Sequence, residues 1–420
     1  MGVIDMRIKN TILILAISAS ILVTGCTTDS KVYHDRISGQ NFAINYFKAL
    51  SNKEDTVVSP LLAIATIGEL SGIVNDSVSD KCIALVNDDY EKTELSIHCG
   101  ELISALEIDE DNIDKDNIDK NNNDTTPNSN FKYSSDLVIS LSEQEELYGF
   151  SSAYVSNLKN LYRGRVRSYN NIEKYNSIIA DINKSRSTED KVQWHSFDEE
   201  GLSVFNSIEY HTNYQDYIKF EPDEQFESNS EYNIEYKSIA TSSIKHSLES
   251  ENTLSCEIAT NSDAISLILM MPSDKNESLD DYISSLTTNE IDIILNNNWN
   301  KPWCDNSDSE EIYCVFPEIL NNSEIRDNST YNKLGLRELF NDSLEIPGIT
   351  DDVMLENIIN YTDIEIKATN NNNTKNVYKN FSLDKTMVFN RPFLYILIEN
   401  NSGYPLIIGR VDNIQGGINK

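Results

Sequence analysis

The run Ala264-Ile-Ser-Leu-Ile-Leu-Met-Met271, closed by Pro272, is the tightest constraint in this chain. A short, bulky, uniformly apolar segment ended by proline is the pattern of a buried strand. Two later segments agree with it. Glu311-Ile-Tyr-Cys-Val-Phe316 alternates and is closed by Pro317. Phe393-Leu-Tyr-Ile-Leu-Ile398 and Pro405-Leu-Ile-Ile408 flank Glu399-Asn-Asn-Ser-Gly-Tyr404, a hairpin with glycine in its turn. The early chain reads differently. From Ser38 apolar residues recur on one side of a helix, at Phe42, Ile44, Tyr46, Phe47 and Leu50. Ser59-Pro60 then opens a second apolar helix, Leu61 to Ile73, with serine as the cap and proline in the first turn. Early helices and late antiparallel strands predict an α+β fold. No long linker divides residues 38–415, so they are read as one domain.

Charge limits the partners. The 420 residues carry 68 acidic and 34 basic side chains, a formal charge of −34. The basic footprint that nucleic-acid phosphates require is missing, and anionic membrane surfaces are repelled. The N-terminus points to export. Arg7 and Lys9 precede the apolar run Ile12–Val23, and Thr24-Gly25-Cys26 follows. That is a charged start, a short apolar run and small residues, too short for a membrane span. The ending Leu22-Val-Thr-Gly-Cys26 resembles a bacterial lipobox, which implies cleavage before Cys26 and a lipid on that cysteine. Residues 1–25 are then a signal peptide and 26–37 a tether. The expected location is the cell surface or periplasm, anchored to the membrane by that lipid. An ordinary signal peptide, giving a secreted protein, is the alternative. Export permits disulfides among Cys82, Cys99, Cys256, Cys304 and Cys314. The candidate pairs are Cys304 with Cys314 and Cys82 with Cys99, leaving Cys256.

Several segments carry no recognisable chemistry. Residues 107–130, with DNIDK twice, are charged, Asn-rich and nearly free of aromatic residues, and read as a solvated insertion. A calcium loop would need a glycine that is absent there. The chain has no G-x-S-x-G, H-E-x-x-H, Walker or G-x-G-x-x-G motif. No cysteines have zinc-ligand spacing, and no two of His34, His98, His195, His211 and His246 stand four apart. His195, beside Trp194, has no placeable nucleophile and reads as a surface residue. Catalytic residues, cofactor and metal are therefore not expected, and the chain does not read as an enzyme.

What remains is the polar stretch between Ile364 and Asn400, longer than the ~12–15 residues usual for a connector without structure of its own. The segments around it resemble those of the serpins. Asn41–Leu50 followed by Val57-Val-Ser-Pro60 resembles their first helix and "SP" helix start. Ala264–Pro272 resembles their central strand. Phe316-Pro317, Tyr331–Leu336, Leu339-Phe340 and Pro347-Gly-Ile-Thr350 resemble the region that follows. Phe389-Asn-Arg-Pro-Phe-Leu394 and Ile408-Gly-Arg-Val-Asp-Asn413 resemble the closing motifs. Order and spacing hold over about 375 residues. The resemblance implies three β-sheets, about nine helices and an exposed reactive-centre loop, here residues 368–388. It implies a suicide inhibitor of extracellular serine or cysteine proteases. The protease cleaves the loop, is held as a covalent acyl-enzyme, and is displaced when the loop inserts into a sheet. A monomer without cofactor or metal is implied.

The loop departs from the family pattern. The hinge positions are Ala368, Thr369, Asn370, Asn371, Asn372, Asn373, Thr374 and Lys375, where inhibitory members carry small apolar residues. Asn and Lys are depleted in strands. One register buries Asn371, Asn373, Lys375 and Val377; a one-residue slip buries Asn372, Thr374 and Asn376 instead. The scissile-bond candidates are Phe381, favoured by spacing, Lys379, favoured by charge, and Tyr378 and Leu383. In the region where the sheet opens, Ser59 and Asn206 match the family, but Leu62 replaces a serine. The alternative function is a non-inhibitory serpin acting as a surface binding module.

Overall fold

The computed structural model describes residues 28–51, 54–111, 128–141, 151–185, 201–214, 217–218, 226, 238–241, 243–250, 252–260, 262–287, 313–326, 328–341, 343–346, 349, 353–368 and 386–414. Eight α-helices are described: α1 Thr28–Leu50, α2 Pro60–Ser71, α3 Asp76–Val86, α4 Lys92–Asp111, α5 Ser152–Tyr162, α6 Ile172–Ser185, α7 Leu279–Ser285 and α8 Asn328–Lys333. Ser59 caps α2 as its sequence suggests, its Oγ accepting from the Leu62 amide at 3.2 Å, and all twelve residues of the helix are buried. A helix buried on every side must be central. Helix α1 begins at Thr28, inside the stretch expected to be tether. Of residues 107–130, expected to be a solvated insertion, 107–111 belong to the end of α4 and 128–130 to the start of the next strand, while 112–127 lie outside the described residues. Residues 1–27, with Cys26, lie outside the described residues. Among the described residues no helix is long and apolar enough to cross a membrane.

Among the described residues, fifteen strands form three sheets. The six-stranded sheet has the order β1 (Val57–Val58), β15 (Pro405–Val411), β14 (Phe393–Glu399), β9 (Ile265–Pro272), β8 (Thr253–Ala259), β7 (Ile244–Glu249). It contains the apolar run ended by Pro272: β9 is buried at every position and lies between β8 and β14. Strands β14 and β15 form the expected hairpin, with Gly403 at φ +64° in the turn. Gly409 stands opposite Tyr395, and a Cβ there would overlap that ring. The four-stranded sheet is β13 (Thr386–Val388), β10 (Tyr313–Pro317), β6 (Ser238–Thr241), β5 (Tyr217–Ile218). The five-stranded sheet is β11 (Ile319–Ile325), β12 (Leu355–Ala368), β4 (Leu202–Tyr214), β2 (Asn128–Ser140), β3 (Gly164–Tyr169).

The cysteines correct the sequence reading. Cys82, Cys99, Cys256 and Cys314 are all buried free thiols. Cys82 and Cys99 lie inside helices α3 and α4, packed as small apolar residues rather than bridged. Cys314 of β10 is a free thiol in contact with Cys256 of β8, and Cys304 lies outside the described residues. Burial pushes the Cys82 thiol up to about 12 and the Cys314 thiol well above its usual range.

Candidate functional site

The centre of the five-stranded sheet is a parallel seam. Strands β4 and β12 pair directly from Leu202↔Leu355 to Tyr214↔Ala368, while their outer neighbours β2 and β11 are antiparallel to them. Parallel ladders are slightly less stable per residue than antiparallel ones. The chain leaves β12 at Ala368, whose amide donates to Glu318 Oε1 at 2.9 Å. The next strand, β13, begins at Thr386. A segment folding back from Ala368 into the seam would run antiparallel to both neighbours. It would exchange one parallel ladder for two antiparallel ones. The hinge positions Thr369 to Lys375 and the scissile-bond candidates Tyr378, Lys379, Phe381 and Leu383 lie outside the described residues. The far end of that segment is fixed: the guanidinium of Arg391 donates to the carbonyls of Pro272 and Asp274.

Beneath the seam lies helix α2. Asn206 of β4 and Asn360 of β12 are direct partners, and both are buried. Asn206 Nδ2 donates to Thr66 Oγ1 at 2.7 Å, and the Thr66 hydroxyl donates to the Leu62 carbonyl at 2.8 Å. Asn360 Nδ2 donates to Tyr331 OH at 3.1 Å and reaches Tyr46 OH at 3.5 Å. Burial pushes the Tyr46 phenol up to about 12, so it stays neutral. Of the three positions singled out in the sequence, Asn206 lies in the seam. Leu62 lies one turn before Thr66 and is fully buried. Ser59 points elsewhere, its hydroxyl donating to the Leu406 carbonyl of β15 at 2.7 Å. Thr66, one turn after Leu62, carries the helix hydroxyl that Asn206 meets. Sequence reasoning missed Thr66, Tyr46, Tyr331 and Asn360. The available signal was the single amide in Ile358-Ile-Asn-Tyr361, a polar residue at the core-facing beat of an apolar strand.

The polar lining continues along the core face. The rows Thr362↔Ile208, Ile364↔Tyr210 and Ile366↔Thr212 follow Asn360↔Asn206 at every second residue, and each holds a polar side chain. Asn206 Oδ1, Asn360 Oδ1, Thr362 Oγ1 and Thr212 Oγ1 have no hydrogen-bond partner among the described residues. A buried group in that condition costs ~1–3 kcal/mol. The seam is thus closed in backbone terms and unsatisfied in side-chain terms.

The outer face differs. Phe205, Ile359 and Val138 pack there under Ile178, Ile179 and Ile182 of α6. Further along, Glu209 and Asp363 are direct partners across the seam, and both are buried. His211 Nε2 lies 3.0 Å from Asp363 Oδ2, and Lys132 of β2 reaches Glu209 at 3.4 Å. The hydrogen bond to Asp363 raises the His211 imidazole pKa against the opposing effect of burial. This clasp was also missed in the sequence, where Glu209-Tyr-His211 shows only a period-two spacing.

Glu69, on α2 beside the seam, gives a pH prediction. Its carboxyl accepts the Ser135 hydroxyl at 2.6 Å and is pushed up to about 8, first by burial and then by the charge of Asp136. Cys99, Tyr133, Tyr154 and Tyr162 are the other titratable groups coupled to it. A folded pKa above the unfolded value means the stabilisation is complete below the unfolded pKa. It is lost as pH rises through the folded value of about 8. Glu69→Gln keeps a neutral acceptor for Ser135. Urea melts of the variant should lose less stability than wild type between pH 6 and pH 9, by on the order of 1.4 kcal/mol per pH unit below the folded pKa. Parallel pH profiles for the two proteins would contradict this.

The match to known proteins follows the same architecture. The chain fits the family model described as "Serpin (serine protease inhibitor)" over residues 38–414. This chain belongs to the serpin family. No curated protein matches it in sequence. Among solved structures it is similar to the thermophilic serpin tengpin in the native state, with TM-score 0.67 and 16% identity, covering 90% of this chain and 94% of that one. It is similar to native protease nexin-1 with heparin, with TM-score 0.65 and 13% identity, covering 91% of this chain and 100% of that one. It is also similar to serpin-12 of Manduca sexta, with TM-score 0.66 and 13% identity, covering 90% and 98%. These likenesses show the serpin fold. Serpins are generally protease inhibitors rather than catalysts.

Proposed function

We propose that this serpin is a suicide inhibitor of extracellular serine or cysteine proteases, and that its bait lies within the loop expected at 368–388, between Ala368, which closes β12, and residues 386–388, which form β13. The observation that supports this most is the β4–β12 seam: a parallel pair, polar on its core face, with the loop starting at its end. The protease nucleophile attacks a loop carbonyl, the peptide bond breaks, and the new amine leaves on the C-terminal side. The acyl-enzyme stays on the N-terminal side. That side then folds into the seam and carries the protease along the sheet. Thirteen residues, Thr369 to Phe381, match in number the β12 positions paired with β4. At ~3.3 Å per residue they span roughly 43 Å, the length of the sheet.

The seam also changes the standing of the Asn-rich hinge. Against an apolar core, Asn side chains would oppose insertion. Against Asn206, Asn360, Thr212 and Thr362 they offer the missing donors and acceptors. The slipped register fits best. It sends Asn372, Thr374 and Asn376 to the polar core face. Lys375 then points to the outer face, which carries Glu209, Asp363 and Glu365. The second reading, a non-inhibitory surface module, rests on the Asn-rich hinge, and the other register, which turns the Lys375 ammonium to the core face, favours it.

Mixing the protein with trypsin-like, chymotrypsin-like, subtilisin-like and papain-like proteases should give an SDS-resistant adduct with at least one of them. Phe381→Ala should abolish a chymotrypsin-like adduct, and Lys379→Ala a trypsin-like one. Clean cleavage by every class without adduct would sink the inhibitory reading and leave the surface module.

The same proposal has the protein exported and held to the membrane by lipid on Cys26, a reading supported by the charged start, the apolar run Ile12–Val23 and the ending Leu22-Val-Thr-Gly-Cys26. Labelled fatty acid should be incorporated into the wild type and lost in Cys26→Ala. Equal labelling of both would contradict the anchor.

A further inference from the structure

We propose that Glu209, His211 and Asp363 form a divalent transition-metal site, of the kind that binds zinc, and that metal bound there locks the β4–β12 seam. One ligand atom from each of the three side chains lies within 4.8 Å of the other two. Tetrahedral ligands at about 2.1 Å from a metal stand about 3.4 Å apart. His211 is only half-buried, so a change in its side-chain angles can close that gap. Glu209 and His211 lie on the same face of β4, two residues apart, and Asp363 is the direct partner of Glu209 on β12. The set therefore comes from both sides of the seam.

The charge balance favours a cation. Glu209 and Asp363 are 2% and 3% exposed, so both carboxylates are removed from water. Lys132 approaches one of them from β2, with its own side chain more than half exposed. Glu365 adds negative charge on the same face, partly offset by Lys367 at 2.6 Å. Two buried carboxylates with one imidazole suit zinc, cobalt or nickel. Calcium and magnesium prefer six or more oxygen ligands and do not fit a set that includes imidazole.

The consequence for the seam is geometric. Neighbouring strands are ~4.8 Å apart, and a strand entering between β4 and β12 would move them to ~9.6 Å. With the side chains at their present angles, that step adds ~4.8 Å between Asp363 and the ligands on β4, beyond the ~4.2 Å that two metal–ligand bonds of about 2.1 Å span, and sets side chains of the entering strand between them. Bound metal therefore opposes insertion, and an opened sheet loses the site. The site itself stands on the three side chains alone; the locking effect rests on the inhibitory reading above.

The test uses the untagged, full chain. Titration with Co2+ should give the visible absorption of a nitrogen- and oxygen-ligated metal at about one equivalent, displaced by Zn2+. His211→Asn, Glu209→Gln and Asp363→Asn should each abolish it, with circular dichroism confirming the fold, while His195→Ala should leave it intact. No Co2+ spectrum, or a spectrum that survives His211→Asn, overturns the site. Zn2+ added before loop cleavage should slow the resulting gain in thermal stability at least tenfold in wild type and have no effect in His211→Asn. Equal rates with and without Zn2+ overturn the lock. A protein that binds Co2+ but never gains stability on cleavage supports the site and contradicts the inhibitory reading.

Discussion

Cleavage of the loop near Lys379 or Phe381 raises the melting temperature of this serpin by on the order of 5–10 °C, if its N-terminal part enters the seam. The gain has two sources and one opposing cost. One parallel ladder is exchanged for two antiparallel ladders, adding roughly one backbone hydrogen bond per inserted residue, each worth ~0.5–1.5 kcal/mol net. Four buried polar atoms along the seam, on Asn206, Asn360, Thr362 and Thr212, acquire partners. Against these stands the ordering of the loop backbone, ~1–2 kcal/mol per residue. A surplus of several kcal/mol survives if the Asn side chains are matched, and none if they are buried unpaired. With ~2.1 cal/mol/K of unfolding entropy per residue, 1 kcal/mol shifts a domain of this size by little more than 1 °C. Differential scanning calorimetry before and after limited proteolysis reads the shift. An unchanged or lowered melting temperature would show that the hinge does not enter the sheet.

Arg410→Ala destabilises the fold by about 3–5 kcal/mol, the usual cost of leaving one member of a buried ion pair alone. Arg410 is 2% exposed. Its Nε and one terminal nitrogen donate to the two oxygens of Asp412 at 2.6 and 2.5 Å. The other terminal nitrogen donates to the Ser51 carbonyl at 2.8 Å and to Asp280 at 2.6 Å. Asp412 is fully buried and also accepts the Asp55 amide at 2.9 Å. Removing the guanidinium strands that carboxylate. The contact with Asp280, which is largely exposed, contributes little. Arg410→Lys recovers only part of the loss, because an ammonium cannot make the two-pronged contact. The double variant Arg410→Ala/Asp412→Ala is more stable than Arg410→Ala alone. Urea melts distinguish these outcomes, and a double variant no better than the single one would contradict the account. The network ties β15 to the end of α1 and to α7, and so holds the hairpin that follows the loop.

Much of the fold was legible because its signals are local. The apolar run at 264–272, the capped helix start at Ser59-Pro60 and the hairpin around Gly403 each state their structure within a dozen residues. The motif order around them identified the family. The seam was less legible. Asn206 could be placed by resemblance, but its partner Thr66 comes from a helix 140 residues away. Asn360 meets Tyr46 and Tyr331 from two other helices. Such contacts depend on which strand lies over which helix, and no short-range pattern encodes that. The clasp of Glu209, His211 and Asp363 was hidden for the same reason, since β4 and β12 are more than 140 residues apart in sequence. The cysteine pairing failed because nearness in sequence stood in for nearness in space. The polar hinge looked unfavourable only while the surface it would meet was taken to be apolar.

The central claim is that residues following Ala368 enter between β4 and β12, and a crystal structure of the loop-cleaved protein tests it most directly. The account predicts a six-stranded sheet with residues 369–381 running antiparallel to both strands, and β4 and β12 about 9.6 Å apart. Asn372 and Thr374 would lie within hydrogen-bonding distance of the polar groups of Thr212, Thr362, Asn206 or Asn360. A cleaved protein in which Thr362 still pairs directly with Ile208, and Asn360 with Asn206, would contradict it.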